Sequence, residues 1–214
     1  MKFGFIMNKS NKYEEFLDNL YYSATPSNYI NNIPKAELYD LYPELAILMN
    51  TPQEPDWHPE GDVFVHTMMV IDEAAKSKEQ LNTEHEKHIL MLSCLCHDLG
   101  KAVTTFEKNG RIVSPMHEQK GVPIAEEFLI RIGVYFEYLP AIFDLIREHL
   151  RPTQLFMNKN NVSNNAIIRL SNRVDIRMLL LVAEADHFGR LTIDAIERDF
   201  PAKDWLWERY KAIK

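Results

Sequence analysis

Residues 95–101 read Leu-Cys-His-Asp-Leu-Gly-Lys. His97 and Asp98 set a neutral nitrogen donor directly beside an anionic oxygen donor, a pairing that suits a divalent metal handling phosphate. The second carboxylate oxygen of Asp98 is free to reach another metal. Gly100 reads as the residue that lets the chain leave its helix, and Lys101 puts a cation where a phosphate oxygen would sit. Most His-Asp pairs are solvated surface residues, so the dipeptide gains meaning only from further ligands. These occur. His66 lies in an apolar-periodic run with Val63, Val65, Val70, Ile71 and Ala74; His117 follows a short polar insert. His149 closes the apolar stretch Ile142, Phe143, Leu145, Ile146, and Asp186 closes the run from Met178 to Ala185. Donors near the ends of several helices suit an inward-facing site in a helical bundle.

Each residue also has a plainer reading. A histidine on an apolar helix face, such as His66, is by itself more often a satisfied core residue. Asp98 at the end of an apolar helix needs either a metal or a basic partner, because an unpaired buried carboxylate is costly. Asp186 could cap the segment that follows it. Lys101 suits a helix end through the dipole alone. Arg190 either clamps phosphate with two N–H groups or pairs with a nearby acid. His58 and Glu60 either line the pocket or order their connector, and Glu118 is placed to orient His117. His85, His88 and His187 read as surface or supporting residues, and Trp205 and Trp207 as packing anchors. Tyr13, Tyr21, Tyr22 and Tyr29 fit either an interface or packing on their own bundle.

The elements that must carry these donors are helices. Only 7 glycines and few alternating apolar-polar runs occur in the 214 residues, which favours helix over sheet. Apolar spacing predicts a first helix over 9–22 with Phe16, Leu17 and Leu20 on one side, broken at Thr25-Pro26-Ser27-Asn28. Residues 35–49 should form two short helices or one kinked at Pro43, followed by a rigid connector at 51–55. Helices over 62–76 and 84–97 carry His66 and the His97-Asp98 pair. Asn109-Gly110 signals a hairpin-like turn within 103–116. Further helices are expected over 118–132, 138–149, 163–172 and 175–187, with one or two around Pro201 over 194–214.

The length allows one domain, or one domain with a helical extension, and a substantial core without disulfides. Cys94 and Cys96 point to different helix faces and read as buried thiols of a reducing compartment. Net charge is −7, which disfavours broad nucleic-acid binding, DNA included. It allows a small phosphorylated substrate or an RNA end in a locally positive pocket. There is no membrane-length apolar stretch, and the apolar run Met1–Met7 is too short for a signal peptide; the expected location is cytoplasmic.

The order His66, His97-Asp98, Asp186 resembles the metal-dependent phosphohydrolases of the HD superfamily. Glu54-Pro55-Asp56-Trp57-His58-Pro59-Glu60-Gly61-Asp62-Val63-Phe64-Val65-His66-Thr67, Cys96–Lys101, His117–Gly121 and Ala185–Arg190 are similar to the HD domain attached to some bacterial CCA-adding tRNA nucleotidyltransferases. The resemblance covers roughly residues 40–190, in order. It implies an all-α HD-domain helical bundle with an N-terminal helical extension: 1–50 the extension, 51–192 the HD domain, 193–214 a C-terminal helix packing on it. It implies a first metal held by His66, His97, Asp98 and Asp186, and a second bridged by Asp98 and held by His117 and His149. Two metals about 3.5–4 Å apart can share a hydroxide and stabilise attacking and leaving oxygens. In the one-metal alternative His117 and His149 bind phosphate or donate a proton. Mixed imidazole and carboxylate donors suit Mn, Fe, Co, Ni or Zn, and Mg less well.

The implied activity is hydrolysis by a metal-activated hydroxide of 2′,3′-cyclic nucleotides, 2′-nucleotides or simple phosphomonoesters. Asp98, Lys101, His117 and Arg190 are the expected catalytic residues; Lys101, His149, Arg190 and His58 are the expected substrate contacts. One departure stands out: no Gly-Ser followed by an Asp-x-Asp pair occurs in the N-terminal segment, so this chain is not expected to add CCA. Two other readings remain open. One is a non-catalytic, metal-containing module that binds a nucleotide or an RNA end; the other is a nucleoside 5′-phosphate phosphatase. The oligomeric state is left open.

Overall fold

The computed structural model describes residues 9–214; the apolar run Met1–Met7 lies outside them. Helix α1 (Lys9–Tyr22) turns Phe16 and Leu20 inward. Helix α2 (Pro26–Asn32) begins where the sequence reading places only a break. Pro26 fits the first helical turn because the N–H it lacks would have no intrahelical partner there. Helices α3 (Lys35–Leu41) and α4 (Pro43–Ala46) divide at Pro43 as expected. An irregular connector then leads to α5 (Val63–Ser77), where the Asp62 carboxylate accepts the Val65 N–H at 3.0 Å. Helix α6 (Glu84–Cys96) is capped by Thr83, whose hydroxyl oxygen accepts the Glu86 N–H at 3.2 Å; such caps satisfy backbone donors left free by the first turn.

A short α7 (Lys101–Thr104) leads into the antiparallel hairpin of β1 (Phe106–Lys108) and β2 (Arg111–Val113). Its two-residue turn puts Asn109 and Gly110 at φ 54° and 76°, the positive values that a tight hairpin turn requires. Then come α8 (His117–Arg131), α9 (Leu139–Glu148), α10 (Arg151–Met157), α11 (Asn164–Ser171), α12 (Ile176–Phe188), α13 (Ile193–Ile196) and α14 (Pro201–Lys211). Helix α10 is absent from the sequence reading, which closes the preceding helix at His149. The chain turns there and starts a new helix, with Pro152 in its first turn.

Helix α6 is the central element: every residue from Ile89 to Cys96 is buried. A helix apolar all round must be surrounded, and α1, α5, α9 and α12 pack about it. Cys94 and Cys96 are free and fully buried, and burial pushes both thiols above their ordinary range. One continuous apolar core runs from Phe16 to Leu206. Trp205, Trp207, Tyr13, Tyr21 and Tyr29 pack against it, whereas Tyr22 is exposed. The architecture is therefore all-α apart from the hairpin, and among the described residues no helix is long and apolar enough to cross a membrane.

Phe16 is fully buried, stacks on Tyr42 and meets Phe128 edge-on. Phe16→Ala is expected to cost about 3–5 kcal/mol in urea unfolding, in a single transition followed by near-UV and far-UV dichroism alike. A separate early transition for α1 would show that the extension does not share the core.

Candidate metal centre

Five helix ends aim imidazoles and carboxylates at a common point. His66 projects from the first turn of α5. His97 and His149 follow the last residues of α6 and α9, and His117 opens α8. Asp98 follows His97, and Asp186 lies in the last turn of α12. All six are buried.

The four histidines share one arrangement. Nδ1 of His97 donates to the Cys94 carbonyl at 2.7 Å, that of His117 to Ser114 at 2.8 Å, and that of His149 to Ile146 at 2.7 Å. Each of these carbonyls lies three residues back. Nδ1 of His66 reaches across the chain to the Gly189 carbonyl at 3.2 Å, with Glu60 Oε1 at 2.9 Å on the same nitrogen. With Nδ1 engaged as donor, each Nε2 is left as a lone-pair donor facing the centre, the tautomer that metal-ligating histidines adopt.

The carboxylates complete two groups. His66 Nε2 lies 3.1 Å from Asp186 Oδ1 and 3.9 Å from Asp98 Oδ2; His97 Nε2 lies 3.2 Å from Asp98 Oδ2. On the other side of the same carboxylate, Asp98 Oδ1 lies 3.2 Å from His117 Nε2 and 4.0 Å from His149 Nε2. The ligand atoms of His66, His97 and Asp186 all lie within 4.8 Å of one another, as do those of Asp98, His117 and His149. Asp98 stands between the groups with one oxygen toward each.

Two buried atoms test whether a cation fits. Nε2 of His97 and Oδ1 of Asp98 are out of contact with solvent and have no hydrogen-bond partner; the 3.2 Å approach of His97 to Asp98 is outside hydrogen-bonding geometry. Nε2 of His117 and His149 face each other at 3.4 Å, although neither Nδ1 has a proton to spare for that contact. Such orphaned donors are rare in folded proteins, and a divalent cation satisfies both sets. A third group, His58, Glu60 and His66, does not fit an ion. There both imidazoles turn Nδ1 onto the same oxygen of Glu60, at 2.8 and 2.9 Å, which is a hydrogen-bonding arrangement.

Burial shapes the titration of the centre. It drives the His149 imidazole down to about 3, helped by His97 and His117, so His149 stays neutral. Burial also opposes charge on Asp98 and Asp186, but Lys101 and His97 hold the first, and Arg190 and His66 the second, well below the usual carboxylate range. For His97 and His117 burial is outweighed chiefly by Asp98, and both shift upward. His58 is lowered to about 4 by burial. Burial would raise Glu60, but hydrogen bonds from His58 and His66 take it far below its ordinary value.

Lys101 forms an ion pair with Asp98 Oδ2 at 2.7 Å and donates to Gln53 Oε1 at 2.7 Å. Arg190 sets Nη2 on both oxygens of Asp186, at 2.9 and 3.0 Å, while its buried Nε has no partner. Together with Trp57, Asp98, His117 and His149, these two cations line a cavity of about 230 Å³, which His58 also borders.

Two glycines set the spacing. A Cβ on Gly100 would lie 2.0 Å from the His117 carbonyl oxygen and 2.6 Å from the Gly121 nitrogen. Its φ of −67° and ψ of −20° are ordinary helical values, so its role is close approach, not the chain exit read from the sequence. A Cβ on Gly189 would lie 2.5 Å from a Val70 methyl, so only glycine lets α12 approach α5 closely enough for Gly189 to accept from His66. Glu118 does not orient His117 as expected: it lies 3.7 Å from an Nδ1 already committed to Ser114. Glu60, fully buried in its side chain and also accepting the Leu191 N–H at 3.2 Å, is the supporting carboxylate, and it holds His66. Gln53 and Ser114 complete the support. No spacing rule points to Gln53 or Ser114, because one acts on a residue distant in sequence and the other through its backbone carbonyl; Glu60 stands out in the sequence, but as a pocket-lining or connector residue and not as the partner of His66.

A family model described as the HD domain matches residues 63–191. The chain belongs to the HD domain family. Membership implies the metal-dependent phosphohydrolase superfamily, in agreement with the buried donor groups. Among curated proteins, the chain is 32% identical over 182 residues to the multifunctional CCA protein of Pasteurella multocida, covering 80% of this chain and 40% of the relative. It is 28% identical over 184 residues to that of Acinetobacter baumannii, covering 83% and 41%. To that of Ralstonia nicotianae it is 34% identical over 171 residues, covering 77% and 36%. The chain thus spans about two-fifths of the length of these relatives.

Gly100→Ala is expected to displace the start of α8 and cost about 1–3 kcal/mol of stability. Urea unfolding checks the cost, and the His117 ring signals in an NMR spectrum check the displacement. An unchanged midpoint would show that the two backbones do not touch.

Proposed function

We propose that this HD domain is a metal-dependent phosphohydrolase acting on phosphomonoesters or cyclic phosphodiesters of nucleotides. The single observation that carries the reading is Asp98 standing between two imidazole groups whose Nε2 atoms face inward. In this proposal His66, His97, Asp98 and Asp186 hold one divalent metal; Asp98, His117 and His149 hold a second. When bound, such metals supply Lewis acidity and lower the pKa of water toward 7.

The chain's own residues do the rest. The Nδ1–carbonyl hydrogen bonds hold each imidazole in one tautomer and orientation, so no rearrangement is needed when a ligand arrives. An ammonium has three donors; Lys101 gives one to Gln53, pairs its charge with Asp98 and keeps a donor for a phosphate oxygen at the cavity wall. Arg190 keeps its unpaired Nε for the same charge. In the one-metal alternative Nε2 of both His117 and His149 is free: His117, at the cavity wall beside Asp98, would then move a proton to the leaving oxygen, and His149 would contact the substrate. His58, bordering the cavity, contacts the substrate in either case. The relatives are multifunctional CCA proteins, which favours a nucleotide or an RNA end as the phosphorylated molecule. Of the substrates open to such a centre, 2′,3′-cyclic nucleotides and 2′-nucleotides are the first to test.

Metal-stripped protein is expected to be inert toward 2′,3′-cyclic AMP and to regain turnover when Mn, Co, Ni or Mg is restored in turn, while Asp98→Ala stays at background with every metal. Turnover that survives in Asp98→Ala would sink the proposal. Elemental analysis of dialysed protein is expected to give two metals per chain, falling to one in His149→Ala. Glu60→Gln is expected to weaken metal binding about 10- to 100-fold in titration calorimetry, with little change in stoichiometry.

A further inference from the structure

Of the three tryptophans, two are packing residues. Trp205 meets Phe156 at a ring separation of 6.0 Å, Trp207 meets Tyr210 at 5.9 Å, and both lie against the core. Trp57 is different. It is 54% exposed, it borders the metal-centre cavity, and among the described residues no aromatic ring or cation pairs with its indole. An indole at the border of this cavity offers a ligand there a large, flat apolar face.

The backbone that carries it is fixed. The N–H groups of Trp57 and His58 donate to the Glu54 carbonyl at 3.1 and 2.9 Å, and that of Gly61 to His58 at 3.2 Å. Pro55 and Pro59 stiffen the same turn. Two ties bind it to the hairpin: Asp56 accepts from Arg111 at 2.8 Å, and Glu54 accepts the Ile112 N–H at 2.9 Å. Ile112 also lines the cavity. The cavity is therefore lined both by polar groups, Lys101, Arg190, Asp98 and the imidazoles, and by the apolar side chains of Trp57 and Ile112, whose backbone is fixed before any ligand arrives. A molecule that meets both kinds of lining carries a phosphate and a planar ring.

We propose that Trp57 is a specificity-determining residue that stacks on the base of a nucleotide whose phosphate lies at the metal centre. This rests on the phosphohydrolase reading for the phosphate end only. Stacking on an aromatic side chain tolerates any base, since every base has a π-face, so Trp57 separates nucleotides from base-free phosphate esters without choosing among the four bases. The contact is made equally in the ground state and the transition state, so its loss raises KM and leaves kcat nearly unchanged.

Two measurements test this on the full metal-loaded chain. The first compares Trp57→Ala, Trp57→Phe and wild type on 2′-AMP and on a base-free ester, 2-phosphoglycerol. The expected result for Trp57→Ala is a rise in KM of about 10- to 100-fold for 2′-AMP with kcat held within about two-fold, and no change for 2-phosphoglycerol. Trp57→Phe recovers most of the loss. Equal losses on both esters, or no loss on either, would overturn the proposal.

The second follows quenching of intrinsic fluorescence by 2′-AMP, a readout that needs no turnover. Quenching in wild type that is absent from Trp57→Phe supports the base contact even if no ester is hydrolysed, in which case the catalytic reading fails and the stacking residue stands. Hydrolysis of 2′-AMP without any Trp57-dependent quenching overturns the stacking residue and leaves the catalytic reading intact.

Discussion

Asp98 and Asp186 are buried, and an ionised carboxylate out of water is tolerated only when its charge is answered nearby. Here the answers are Lys101 on one and Arg190 on the other, with four imidazoles between. This concentration of charge at the middle of a helical protein is the constraint around which the rest is arranged. It needs helix ends brought together from five parts of the chain, and it needs backbone carbonyls free at those ends. It also needs two contacts close enough that only glycine fits. Helix ends meet the second need directly, because the last carbonyls of a helix lack intrahelical partners. In α6 and α9 one such carbonyl, from Cys94 or Ile146, takes the Nδ1–H of the histidine three residues on. A local rule of helix termination thus becomes a device for aiming Nε2.

The separation of labour between the two sides of each imidazole explains why the supporting residues are so varied. His97, His117 and His149 are oriented by their own neighbourhoods and need no distant carboxylate. His66 sits inside α5, where the preceding carbonyls are engaged in the helix, so it is held from outside by Gly189 and Glu60. The turn that supplies Glu60 also carries Trp57 and His58. The residue that fixes one imidazole and the residues that border the cavity therefore share one short segment, and that segment is tied to the hairpin through Glu54 and Asp56.

Much of this was legible in the sequence. Apolar periodicity located α1, α5, α6, α8, α9 and α12 to within a residue or two, because each presents a buried face long enough to show its period. Donors at the ends of those runs were legible for the same reason. What was not legible depended on pairing across the chain. Gly100 looked like an exit from a helix because its true requirement, a backbone 2.0 Å from where a Cβ would be, belongs to α8. Gln53 sits in an irregular connector with no period to read, and Glu60 in the same connector was read as lining the pocket or ordering the chain, not as holding His66. Helix α10 is one short stretch with a proline in its first turn and mostly exposed side chains, so neither length nor apolar spacing marked it. Glu118 was a reasonable partner for His117 by adjacency, but the Ser114 carbonyl is nearer.

His66 and Asp186, which meet at 3.1 Å, are 120 residues apart in the chain. Contacts of that separation form late, because the long loop between them must be closed before they bring any gain. During synthesis, which runs from the N-terminus, α5 and α6 are complete long before α12 has been made. Until then His66 has neither Asp186 nor the Gly189 carbonyl, and the apolar faces of α5 and α6 that α12 covers are open to water. The last helix of the centre to leave the ribosome therefore covers the open faces of α5 and α6 and brings Asp186 and the Gly189 carbonyl to His66, and no shorter nascent chain holds a finished centre.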